Sequence, residues 1–277
     1  MTCDVPFTPA ISQLRETLKH GDLVVEGQLS GASNASLLCT IDRGDDSNAQ
    51  NLRCVYKPRK GERPLWDFPS GTLSRREVLA AIAALMFDWD ITPTTVWRDD
   101  GPFGPGMCQE WVEDDASQPA VAILAPEKVP IGWRVIVEGR SFDGCEVVLA
   151  HENSIDLQRM AIFDLVINNA DRKGGHILRR TDGRLTGIDH GLSFHEEAKL
   201  RTVLWGWSGE TIPTEVMTGL ERMTEHISHQ CELREQLRSN LSAREFTAFE
   251  RRLSVVVMGR EFPHSSMLDP ALPWPPM

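Results

Sequence analysis

Residues Asn169–Gly191, N-A-D-R-K-G-G-H-I-L-R-R-T-D-G-R-L-T-G-I-D-H-G, decide how this chain is read. Before them, Glu152–Asn169 carries Ile155, Met160, Phe163, Leu165, Val166 and Ile167 mainly at helical spacing, which predicts a long helix buried on one side. That helix ends as the quoted stretch begins. HILRR, the turn TDGR and LTGIDH then read as a hairpin. A carboxylate, Asp171, and a potential ligand, His176, lie on the loop ahead of the hairpin, and the hairpin can fold Asp189 back towards them. Gly174 and Gly175 give a tight turn that presents His176.

Beyond this stretch, GLSFHEEAKLR reads as a polar outgoing loop, on which His190 and His195 are expected to be exposed. From Thr214 to Val257 the apolar pattern is helical, and Ser242 with Glu245 has the capping-box spacing ahead of FTAFERRLSVVVM. The proline-rich tail Pro263–Met277 is read as either mobile or docked as an extended strap by Trp274.

Towards the N-terminus, Thr8, Pro9 and Gly21 frame a short helix. DLVVEGQLSG, SLLCTI and LRCVYKP follow as β-rich runs of an antiparallel meander. Ser74 and Glu77 have capping-box spacing before VLAAIAALMF, so a helix is predicted to start near Leu73 with Ser74 as its cap. ITPTTVW and GMCQEWVE read as two more strands, and EDDASQP as a linker. The fold class expected is α+β. An antiparallel-sheet N-lobe spans 1–112, and a mostly helical C-lobe with a proline-rich tail spans 113–277.

Composition excludes several classes. With 277 residues, 41% apolar and 25% charged, the chain can build a large core, and no apolar run is long enough to cross a bilayer. The N-terminal residues lack the pattern of a secretory leader, so the cytoplasm is the expected location. Six cysteines without a C-x-x-C pair argue against a disulfide framework and a thiolate zinc site. A net charge of -11 weighs against nucleic acid and anionic membrane partners.

Transfer of a phosphoryl group from ATP needs metal ligands, a cation on the phosphates and a carboxylate for the acceptor hydroxyl. The motif D-R-K-G-G-H followed by I-D-H-G resembles the catalytic and metal loops of the phosphatidylinositol 3-/4-kinase-like superfamily, which includes the bacterial HipA-type protein kinases. It also resembles an uncharacterised branch of that group common in actinobacteria. The resemblance implies a two-lobed, protein-kinase-like fold in which Asp171 serves the acceptor, while His176 and Asp189 hold metal. It further implies that Lys57 binds ATP with Glu77 as its ion-pair partner. Q-L-S-G-A-S-N-A-S, with Ser30, Ser33 and Asn34, would cover the phosphates, and a hinge at Glu110, Trp111 and Val112 would meet adenine. His176 stands where the family commonly has asparagine. Imidazole suits softer ions than Mg²⁺, so Mn²⁺ is expected to serve better than Mg²⁺.

The acceptor is expected to be protein Ser or Thr, including the chain itself. Few basic residues follow I-D-H-G, whereas Ser70, Thr72 and Ser74 lie on a loop between Lys57 and Glu77 and are candidate phospho-acceptors. The competing readings are a phosphoinositide lipid kinase, a nucleotide-binding pseudokinase and an AMP-transferase.

Overall fold

The computed structural model describes residues 8–29, 34–42, 51–265 and 270–277. Its opening helix, α1 (Pro9–His20), begins where Thr8 Oγ1 accepts the Ile11 N–H. Strands β1 (Leu23–Gln28), β2 (Leu37–Ile41), β3 (Leu52–Pro58), β4 (Thr95–Arg98) and β5 (Gly106–Glu110) form an antiparallel sheet in the order β1-β2-β3-β5-β4. All five were legible from alternation and turn residues.

The period of two along β3 sorts its side chains onto two faces. Cys54 and Tyr56 join Leu18, Cys39, Ile41, Val96 and Cys108 in a small core beneath α1. Lys57 therefore faces the other way, towards α2 (Leu73–Phe87).

Helix α2 is buried over most of its surface, because it lies between that sheet and the C-terminal helices. It starts at Leu73 as expected, but the Ser74 capping box does not form. Ser74 lies inside the helix, and the carboxylate of Glu62 accepts the Leu73 N–H at 3.0 Å, the Ser74 N–H at 2.8 Å and the Ser74 hydroxyl at 2.6 Å. An acid eleven residues upstream of Leu73 thus does the capping, and Glu77 is left free to turn elsewhere.

The second half holds more strand than its sequence suggested. Strands β6 (Val121–Leu124), β7 (Arg134–Arg140) and β8 (Glu146–His151) make a second antiparallel sheet in the order β6-β8-β7. Helix α3 (Ile155–Ile167) follows, capped by Ser154 and ended by Asn168 in the left-handed region at φ 58°. The hairpin β9 (Ile177–Arg179) and β10 (Leu185–Gly187) comes next. Helices α4 (Thr214–Ser228), α5 (Glu232–Asn240) and α6 (Ala243–Gly259) complete a mixed α+β structure, and the Ser242–Glu245 capping box is present at the start of α6.

The main core joins α2 to α3, α4, α5 and α6 without interruption. The tail is docked, though not through Trp274, which is 88% exposed. Its Ala271 carbonyl accepts the Thr202 N–H and the Trp205 indole, and its Pro276 carbonyl accepts the Gly174 N–H at 2.8 Å. Among the described residues, no helix is long and apolar enough to cross a membrane.

Candidate active site

The left-handed turn at Asn168 ends α3, and Asn169, Ala170 and Arg172 after it remain buried. Asn169 then locks the loop: its amide donates to Asp164 at 2.9 Å, and its side-chain oxygen accepts the Asp171 N–H at 3.1 Å. Gly174–His176 forms a single 3-10 turn, which folds the imidazole back so that Nδ1 meets the Asp171 carbonyl at 2.9 Å. Hairpin β9–β10 returns the chain, and Asp189 follows it at φ 58°.

Arg172 ties these pieces together. It is fully buried and grips Asp164 through two N–H bonds at 2.8 and 2.9 Å, while donating to the carbonyls of His176 and Ile188 at 3.2 and 3.0 Å. Its remaining N–H meets His190 Nε2. His190, expected to be exposed on an outgoing loop, is in fact 2% exposed, because its ring fills the space between this guanidinium and Phe163. His195 is half-buried, with Nε2 donating to the Asp67 carbonyl at 2.9 Å.

From the sheet side, Lys57 reaches Glu77 Oε1 at 2.7 Å and contacts Asp189 directly. Burial works against the ammonium, but Glu77 and Asp189 together outweigh it and hold the Lys57 pKa above its ordinary value. Burial pushes the Glu77 carboxyl up to about 7 against the pull of Lys57, and Asp189 adds to that rise. For Asp189 burial is also the largest single influence and opposes ionisation, yet Lys57 leads the groups that draw its pKa down to about 2.

These groups share one cavity of about 260 Å³. Lys57, Glu77, Asp171, Lys173, His176 and Asp189 all line it, and Lys173 Nζ lies 3.0 Å from Asp171 Oδ2. Asn34 lines it too, with Oδ1 accepting the Arg63 N–H at 2.8 Å, whereas Ser30 and Ser33 lie outside the described residues.

The expected hinge does not line this cavity. Glu110 instead bridges Arg180 at 3.3 Å and the Thr94 N–H, and the Trp111 N–H is taken by the Arg53 carbonyl; Val112 follows them outside the cavity lining. Among the three candidate acceptors, Ser70 is exposed, Thr72 donates its hydroxyl to the Pro69 carbonyl, and Ser74 is buried on Glu62. Glu62 was missed because a capping acid so far upstream has no fixed sequence offset. Lys173 was likewise unassigned.

Among the described residues, no cluster of three or more His, Cys, Asp and Glu side chains is arranged to hold a metal by itself. The residues that could hold a divalent ion are His176 and Asp189. Because His176 Nδ1 faces a carbonyl, which only accepts, Nδ1 carries the proton. Burial lowers the His176 pKa against the pull of Asp189, which favours the neutral ring, whose Nε2 would then offer a lone pair. His176 Nε2 lies 3.6 Å from Asp189 Oδ2. Glu77 Oε2 is also buried without a partner. A divalent cation held by His176 and Asp189 would need further oxygen ligands.

No family model matches the chain. A curated protein from Mycobacterium tuberculosis, Protein Rv2133c, is 41% identical to it over 267 residues, which covers 93% of each chain. A search of solved structures finds the golgi casein kinase, with a TM-score of 0.49 and 12% identity over 95% of this chain and 82% of that one.

Proposed function

The chain belongs to the family of Protein Rv2133c from Mycobacterium tuberculosis, and we propose that it is an ATP- and divalent-metal-dependent phosphotransferase of kinase-like, two-lobed organisation. One observation carries this reading: Lys57 is clasped by Glu77 and Asp189 in a cavity that also holds Asp171 and His176. Three distant stretches of sequence supply that set.

In this reading Lys57 holds the α- and β-phosphates, and Glu77 keeps it aimed at them. His176 Nε2 and Asp189 hold the metal, whose charge offsets that of the phosphates. Asp171 orients the acceptor hydroxyl and takes its proton as the new P–O bond forms, the bond between β- and γ-phosphate breaks and ADP leaves. Lys173, at 3.0 Å from Asp171, adds a cation at the transfer end.

The lobes divide near Val112, into 1–112 and 113–277, although α2 packs with the helical part. The acceptor is protein Ser or Thr. Self-modification narrows to Ser70, the exposed hydroxyl of its loop, since those of Thr72 and Ser74 are engaged.

The test is incubation with ATP labelled at the α- or γ-phosphate, with Mn²⁺ and Mg²⁺ compared. Transfer of the γ-label, faster with Mn²⁺, is expected. Asp171→Asn should lower transfer at least about a hundred-fold while nucleotide still binds. Transfer of the α-label would establish AMP transfer instead, and nucleotide binding without transfer would leave an interaction module.

A further inference from the structure

The loop between β3 and α2 carries Leu65 at the cavity and exposed Trp66 next to it, and it does so from a braced frame. At its start the Arg63 N–H is held by Asn34, and Glu62 is tied to the first turn of α2. In its middle, Asp67 Oδ2 pairs with Lys199 at 2.9 Å and its carbonyl accepts from His195. Phe68 is buried edge-on to His195, with the Arg76 guanidinium 5.0 Å from its ring.

Between these anchors Leu65 lines the same cavity as Asp171 and Lys173, and Trp66 is 93% exposed. An exposed indole next in sequence to a cavity-lining residue is a ready contact for a bound partner, since aromatic side chains bring large area at little entropic cost.

The charges nearest Trp66 favour a basic partner, while Arg63 and Lys173 line the cavity itself. The Lys199 ammonium sits 5.1 Å from the Trp66 ring centroid but is already committed to Asp67 and, at 3.9 Å, to Glu197. Glu197 itself is 73% exposed, so this side of the rim shows a carboxylate rather than a free amine. The net charge of -11 reinforces attraction to cationic partners.

We propose that Leu65 and Trp66 form the acceptor platform of the phosphotransferase, a role that rests on the function proposed above. The acceptor is a Ser- or Thr-bearing polypeptide with an apolar side chain for the indole and a Lys or Arg for Glu197. A phosphoinositide headgroup would bring its phosphates against Glu197 and find Lys199 occupied.

The test is direct binding, which needs no turnover. Fluorescein-labelled serine peptides flanked by Leu and Arg, or by Gly and Glu, are titrated with the full-length protein and read by anisotropy. The wild type should prefer the basic, apolar peptide. Trp66→Ala should weaken that binding about ten-fold, and Glu197→Lys should shift preference towards the acidic peptide. Phe142→Ala, which alters a fully exposed aromatic between β7 and β8, should change neither. Equal affinity of wild type and Trp66→Ala, preference for the acidic peptide, or binding to phosphoinositide vesicles in place of peptide would overturn the proposal. A wild type that binds peptide but transfers no γ-phosphate would count against the phosphotransferase reading and leave the platform standing.

Discussion

Arg172 has five N–H donors, and each has an acceptor: both oxygens of Asp164, the carbonyls of His176 and Ile188, and the ring of His190. A buried cation is tolerated only when paired and saturated in this way. The consequence is geometric, because the guanidinium sets how far the Asp171–His176 loop stands from Asp189. Lysine keeps the charge but offers donors from a single point and cannot span these acceptors. We expect Arg172→Lys to lose roughly 3 kcal/mol of stability in urea denaturation, and an unchanged midpoint would contradict the saturated network. The sequence showed the chemistry of this region more readily than its support. Asp171, His176, Asp189, Lys57 and Glu77 are recognisable by residue type and order, and the structure brings them together. Arg172 and His190 gain their roles only from three-dimensional packing, and nothing local to the motif marks either as buried.

Helix α2 shows how a correct boundary can rest on the wrong cap. Ser74 and Glu77 have the capping spacing, yet Glu77 is drawn to Lys57 and the helix N-terminus is closed by Glu62. A carboxylate there satisfies two orphan N–H groups and complements the helix dipole. Glu62→Ala should therefore cost about 1–2 kcal/mol in thermal denaturation, with the Ser74 hydroxyl left buried; a change of a few tenths would show that Glu62 does not cap. The two sheets differ in legibility for a related reason. Strands β2 and β3 alternate between core and the opposite face, which sequence periodicity reports directly. In the second sheet β8 is the central strand, and its residues Val148–His151 are buried in succession without alternation. Edge strand β7 turns Val135 and Val137 outward around an irregular register with β8, which inverts the usual pattern. Neither strand carries a clean period of two, so the second sheet stayed hidden.

Across the whole molecule, the core that unites α2 with the C-terminal helices makes the proposed lobes share packing rather than meet only at a hinge. Arg76 reinforces that union from α2, pairing with Glu245 of α6 and donating to the Ser193 carbonyl at 2.6 Å. One of the ties between the second sheet and the rest is His151, a buried ring at the end of β8. Its Nδ1 donates to the Glu152 carbonyl at 2.7 Å and its Nε2 accepts the Gly206 N–H at 3.1 Å, a pairing that requires neutral imidazole. Burial lowers its pKa to about 4, and nearby Arg134 pulls the same way while the bond to Glu152 opposes. In the unfolded chain the ring titrates near its ordinary value of about 6.5. Between these values the unfolded state binds more protons, so stability falls as pH falls: the advantage of the neutral ring is complete above about 6.5 and is lost progressively down to about 4. The shift bounds the effect at about 3 kcal/mol. His151→Gln removes the titration, and urea denaturation between about pH 7 and 4.5 should show a slope shallower than wild type by roughly 2–3 kcal/mol over that span. Parallel slopes in the two proteins would mean that His151 does not tie the second sheet to the loop at Gly206 through a neutral ring.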